Sequence, residues 1–169
     1  MSTRYLLDAN VFIQAKNLHY GFDFCPAFWD WLQEKNAAGK LASIDKVADE
    51  LLSGEDELST WTEQQDAKFF LSADSEVLSV LTQVSNWANS QNYEPAAIAT
   101  FLQVADYWLI AHALAHHWTV VTHEAPADTV RKIKIPNACI GLNLKFVNPF
   151  EMLRRERARF VLGQSNKAL

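Results

Sequence analysis

Four acidic side chains, Asp8, Glu50, Asp106 and Glu124, stand at positions that packing alone does not explain. Asp106 is the sharpest case. Leu102, Asp106, Leu109, Ile110 and Ala113 recur at the spacing of one helical face, so an acid interrupts an apolar stripe. Burying an ionised carboxylate costs on the order of several kcal/mol unless a charge, a hydrogen-bond network or a metal compensates it. No Lys or Arg occurs between Lys68 and Arg131, so the compensating cation must come from far along the chain or from solution. Asp8 ends the first apolar run, at the kind of strand terminus where ligands collect in parallel α/β sheets, and it reads equally as a helix cap. Asn10, two residues on, reads either as its partner or as a turn residue. Glu50 borders the apolar stripe of its helix, turned toward the sheet edge or toward solvent, and Glu124 follows another short apolar run, as a site acid or a loop acid. If the four converge, the set suits a hard divalent cation, Mg²⁺ or Mn²⁺, which takes oxygen ligands and keeps room for water and phosphate. The matching chemistry is attack of an activated water on a phosphodiester.

Other chemistry finds less support. His112 and His116 have the spacing of a zinc pair, but the Glu of an HExxH motif is missing and neither shares the face of Asp106. His116 and His117 are expected to interact with a helix dipole, and His123 to tune the neighbouring Glu124 or contact phosphate. Cys25 and Cys139 form no CxxC pair and have no adjacent base, and no GxSxG elbow marks a serine nucleophile. The six tryptophans are expected mainly in the core, with some available as interface anchors.

The elements that must position these groups follow from periodicity and punctuation. Short strands are predicted over about 4–7, 41–44, 118–122 and 145–147. Helices are predicted over about 26–38, opened by Pro26, then 45–52 with Asp45 as N-cap, 55–65, 75–87, and 95–117 with a break near Val104. A basic C-terminal helix over about 149–162 carries Arg154, Arg155, Arg157 and Arg159. Short apolar strands between amphipathic helices imply an α/β fold, a central parallel sheet of four to five strands flanked by helices. With 169 residues, 49% of them hydrophobic, the chain reads as one domain over 1–169.

The net charge of −5 conceals an asymmetry: nine Lys or Arg but only Glu151 and Glu156 follow position 130, whereas the first 130 residues carry six basic and eighteen acidic side chains. An acidic body fits a site crowded with carboxylates; a basic end fits phosphate or an acidic partner, or is a solvated helix face. No stretch approaches a membrane span or a signal peptide, and the few cysteines suit a reducing compartment, so a cytoplasmic protein is expected.

Taken together, YLLDANVFI at 5–13, VADELL at 47–52, VADYWLIAHA at 104–113 and VVTHE at 120–124 resemble the PIN-domain family, in order and in spacing. The resemblance covers roughly residues 4–150. It implies a small α/β ribonuclease, akin to the VapC-like toxins of type II toxin–antitoxin systems, with Asp8, Glu50 and Asp106 as metal-binding acids. Glu124 takes the fourth place, where VapC-like chains usually carry Asp, and Asp128 stands in reserve. The same resemblance implies an RNA substrate, a cognate protein antitoxin and homodimerisation. Length, tryptophan content and the His123-Glu124 variant place the chain nearer a PIN-like subfamily than typical VapC toxins.

Two rival readings remain. A haloacid-dehalogenase-like phosphatase would use Asp8 as nucleophile, but Asn10 stands where its second Asp belongs. A catalytically idle PIN-like module would bind RNA or a protein without cutting.

Overall fold

The computed structural model describes residues 2–163, which build a five-stranded, all-parallel sheet covered by helices. The sheet order is β3-β2-β1-β4-β5. Its strands are β1 (Tyr5–Leu7), β2 (Leu41–Ile44), β3 (Phe70–Leu71), β4 (Thr119–Val121) and β5 (Phe146–Val147). β1, β2 and β4 are buried along their whole length, the pattern of strands covered on both faces, and this explains why their sequences run apolar without alternation. Tyr5 is paired with Leu41 on one side and Thr119 on the other, so β1 lies at the centre. The expected α/β class is therefore the one observed, and its architecture is consistent with a PIN-like fold.

Connectivity decides where a site forms. From β1 the chain passes through α1 (Ala9–Gln14), a π-helical continuation at Ala15–His19 and α2 (Pro26–Ala37) to β2. It goes on through α3 (Asp45–Leu52) and α4 (Glu57–Glu63) to β3. It then crosses back through α5 (Ser75–Ser90), α6 (Pro95–Gln103) and α7 (Ala105–His116) to β4 on the other side of β1. Strand order thus reverses between β1 and β4, and a crevice opens beyond their carboxyl ends. After β4, α8 (Ile135–Gly141) leads to β5, and α9 (Pro149–Arg155) ends the helical part.

Several boundaries differ from expectation for identifiable reasons. Ile44, not Asp45, is the N-cap of α3, and Asp45 occupies the first turn, where its charge favours the helix dipole. β3 escapes prediction because a two-residue strand is too short for periodicity to show, and α8 because Pro136 and Gly141 punctuate its seven residues. The break at Val104 is real and leaves Leu102 on α6, so the stripe with Asp106 at its middle does not exist as one helix; Asp106 lies in the first turn of α7. The C-terminal helix stops at Arg155 instead of near 162. Arg157 turns left-handed (φ 55°) and Ala158 N–H donates to the Leu153 carbonyl, closing the helix end. Phe160 then packs edge-on against Tyr20 and Phe28, a burial that continuing the helix would forfeit.

One core spans both sheet faces. Phe12, Trp29, Trp61, Phe69 and Phe70 form a chain of aromatic contacts at centroid distances of 4.9–6.1 Å on one face. Trp29, Trp31, Trp61 and Trp118 are buried, whereas Trp87 and Trp108 are half-buried. Among the described residues no single helix is long and apolar enough to cross a membrane; α6 and α7 together reach that length and composition but are bent by 71°.

Candidate functional site

Asp8 follows β1, and Thr122 and Glu124 follow β4, so three side chains emerge at the crevice where strand order reverses. The helices contribute there by direction. A helix that leads into a parallel strand runs against it, so the start of α7, and with it Asp106, lies beside the carboxyl ends of the strands. Glu50 comes from α3, the helix that leaves the carboxyl end of β2. Asp8, Asn10, Glu50, Asp106 and Glu124 line one cavity of about 650 Å³, together with Ile13, Phe101, Val104, Arg131 and Lys132. The four acids predicted from sequence are brought together; Asp128 is exposed and does not line the cavity.

A hydrogen-bonded post holds the deepest acid. Asp8 is only 6% exposed. Its Oδ1 accepts from the Ala9 N–H at 2.7 Å, capping α1, and its Oδ2 accepts from the Thr122 hydroxyl at 2.8 Å. Thr122 Oγ1 in turn accepts from Asn10 Nδ2 at 3.2 Å and from the Glu124 N–H at 3.1 Å. Asn10 Oδ1 accepts from the His123 N–H at 3.1 Å, tying the loop after β4 to the start of α1. Asp8 is therefore both helix cap and cavity wall, and Asn10 is its partner through Thr122. Sequence reasoning passed over Thr122, and its one signal was a hydroxyl residue closing a buried strand directly before the acid.

The electrostatics are those of crowded carboxylates. Burial, then the charge of Asp106, push the Asp8 carboxyl up to about 7, against the bonds from Thr122 and Ala9 that favour its ionised form. Burial and the charge of Glu124 raise Asp106 to about 6, while Lys132 acts the other way. Oε2 of Glu124 is buried without a hydrogen-bond partner. A buried carboxylate oxygen is costly to leave unpaired, and neighbouring acids cannot satisfy it. This orphaned oxygen and the mutual repulsion of the acids fit a divalent cation, which would offset both. Among the described residues no three acidic, histidine or cysteine side chains are already drawn into a closed coordination set. Mg²⁺ commonly binds through one or two carboxylates and its own waters, so an open arrangement matches it better than a cage.

The remaining candidates lie elsewhere. His123 is not among the residues that line the cavity: its ring stacks on His19 at 5.5 Å, and both rings meet Phe150, so the contacts it makes are aromatic ones and not the expected ones to Glu124 or phosphate. Burial lowers its pKa, with help from His19. His116 bonds Asp74 Oδ2 at 2.8 Å, near the far end of α7, a specific partner beyond the expected dipole interaction. Cys139 is buried, and its thiol is pushed up to about 12 by burial and by the charge of Asp8, the opposite of the lowered pKa that a thiolate nucleophile needs. Arg131 and Lys132, read from sequence only as part of a basic end, also line the acidic cavity.

A family model described as a domain of unknown function, DUF4411, matches residues 5–160. No curated protein matches the chain.

Proposed function

The chain belongs to the DUF4411 family, and from the geometry of its site we propose that it is a metal-dependent endoribonuclease of the PIN kind. The observation that carries this reading is the convergence of Asp8, Glu50, Asp106 and Glu124, from four separate segments, on one cavity at the point where strand order reverses. A structural role for any one of them would not bring all four to a single cavity at such electrostatic cost.

Asp8, Asp106 and Glu124, with Glu50 at the rim, would hold Mg²⁺ or Mn²⁺. A bound ion of this kind lowers the pKa of a water and neutralises charge developing on a phosphodiester. The chain's own groups prepare the place. The Thr122 hydroxyl and Ala9 N–H fix the two Asp8 oxygens, so the carboxylate needs no reorganisation when a ligand arrives. Asn10 and the Glu124 N–H orient the Thr122 hydroxyl so that its proton points to Asp8. Burial of Asp8 and the apolar neighbours Ile13, Phe101 and Val104 limit competing water. The reading includes an RNA substrate, a cytoplasmic location and, from the resemblance, a toxin role with a cognate protein antitoxin and homodimerisation.

The test is cleavage of a mixed pool of structured and single-stranded RNAs in Mg²⁺ or Mn²⁺, with Asp106→Asn alongside. The expected result is cleavage that chelator abolishes and the variant lacks. Equal background cleavage in both proteins would move the reading to an idle module that binds RNA or a protein partner. Release of inorganic phosphate from small esters, with phosphate trapped on Asp8, would move it to a phosphatase.

A further inference from the structure

Two of the basic residues gathered after position 130, Arg131 and Lys132, share the cavity with the four carboxylates. Their flanks hold them there. Ile133 and Ile135 are buried, the Val130 carbonyl accepts from the Glu94 N–H at 2.9 Å, and the Asn137 side chain bonds both the N–H and the carbonyl of Ala127 at 3.0 Å. The segment is thus pinned on both sides of the two cations, while Arg131 and Lys132 themselves are exposed. Among the described residues neither forms an ion pair, although three acids with exposed or half-buried side chains line the same cavity. Cations placed to compensate the acids would close onto them, because a charge-assisted bond between neighbouring groups is the favoured arrangement. These two are held near the acids, Lys132 close enough to favour the ionised form of Asp106, and yet neither closes onto one.

We propose that Arg131 and Lys132 form a phosphate-holding rim, which binds a backbone phosphate of the nucleic acid next to the phosphodiester that faces the carboxylates. The proposal rests on the nuclease reading and adds how that site would hold its substrate. A polyanion brought to this cavity meets repulsion from four acids, and among the described residues Arg131 and Lys132 are the basic side chains that line it. Arg131 supplies a planar fork of donors and Lys132 a mobile point charge, two complementary ways of holding phosphate oxygens. The rim also explains how a chain of net charge −5 would engage RNA: the cations that matter are few and placed, and the remaining basic residues need not take part.

The experiment is fluorescence anisotropy of a 5′-fluorescein-labelled, mixed-sequence single-stranded RNA with the full chain. It is run in EDTA and in Mg²⁺ over a series of KCl concentrations, with cleavage by the same proteins measured in Mn²⁺. Arg131→Gln and Lys132→Gln are each expected to weaken binding about five- to tenfold at low salt. Each should also reduce the slope of log K against log salt by about 0.7, the loss of one phosphate contact on a single strand. Lys132→Arg should restore most of the affinity, and Lys145→Gln, at the opposite end of the sheet, should bind as wild type. In cleavage, Lys132→Gln should raise KM and leave kcat nearly unchanged, with Mn²⁺ affinity undiminished. Wild-type affinity and slope in both Gln variants, an equal loss in Lys145→Gln, or no binding by the wild-type chain would each overturn the rim. RNA bound with the expected salt dependence but left uncut in Mn²⁺ would keep the rim and remove the nuclease. RNA cut by Lys132→Gln at the wild-type KM would keep the nuclease and remove the rim.

Discussion

The cavities at the two ends of the parallel sheet are lined by opposite charge, although the same strands run through both. At the carboxyl end Asp8, Asp106 and Glu124 gather around the starts of α1 and α7. At the amino end a second cavity, about 480 Å³, is lined by Arg4, His116, His117, Trp118 and Lys145 and contains no acid. Arg4 lies over the Trp118 ring at 4.3 Å and donates to the His116 carbonyl at 2.6 Å, at the end of α7. Helix direction accounts for much of the contrast. Helix starts, with their free N–H groups, collect at the carboxyl ends of the strands and favour anions, and helix ends collect at the other edge and favour cations. The two edges nevertheless differ in cost. Each edge keeps one buried polar atom without a partner, Trp118 Nε1 at the basic one and Glu124 Oε2 at the acidic one, but only the acidic edge holds two carboxyls pushed well above the usual carboxylate range. The greater electrostatic cost at the acidic edge is what supports the proposed ligand site there.

The largest effect expected at the acidic edge is chemical. Asp8→Asn and Asp106→Asn should each reduce metal-dependent RNA cleavage to background in a gel assay, whereas Arg4→Ala at the basic edge should cleave like wild type. Loss of cleavage in Arg4→Ala would break the contrast.

The second is thermodynamic. Because Asp8 is raised to about 7 and Asp106 to about 6 from an ordinary value of 3.8, the folded chain holds protons that the unfolded chain releases. Stability of the metal-free protein should be greatest below about pH 4 with respect to these groups and fall as pH rises through about 6 and 7. The Asp8 contribution is on the order of 2–4 kcal/mol. Urea titrations in EDTA across that range check the sign, and Asp106→Asn should flatten the slope. Adding Mn²⁺ at neutral pH should recover stability, by about 2.7 kcal/mol at a hundredfold excess over Kd. A melting temperature indifferent to Mn²⁺ would argue against the metal.

Third comes Thr122→Val, which keeps the shape and removes the hydroxyl that joins Asp8, Asn10 and Glu124. Activity should fall roughly 10–100-fold, as for other groups that orient a ligand, and stability by about 1–3 kcal/mol from the partners left unpaired. The smallest effect is Arg4→Ala itself, about 0.5–1 kcal/mol of stability from its stacking on Trp118, read by urea denaturation.

Much of this contrast was legible in the sequence, and unevenly so. Long segments such as α2, α5 and the apolar α6–α7 pair announce themselves through their apolar pattern and a first-turn Pro26 or Pro95, whereas β3 is too short to do so and α8 is hidden by Pro136 and Gly141. The acids were found because a carboxylate beside an apolar run is costly and conspicuous. Asp106, however, sits at the start of α7 and not amid a continuous stripe, and what raises its pKa is burial and Glu124. For His123, adjacency to Glu124 in the chain does not fix direction, and its ring packs on His19 and Phe150.

What the sequence determined by itself is local: where strands and helices begin, which side chains are too apolar to leave in water, and which acids lie at their ends. Composition and periodicity encode these because each depends on neighbours within a few residues. What only the tertiary structure decided is non-local. It brought Asp8 and Thr122 within 2.8 Å across 114 positions, left Glu124 Oε2 without a partner, and set Arg131 and Lys132 beside acids they do not pair with. Those relations arise from the reversal of strand order between β1 and β4 and from the direction of α7, which are properties of the packed chain as a whole.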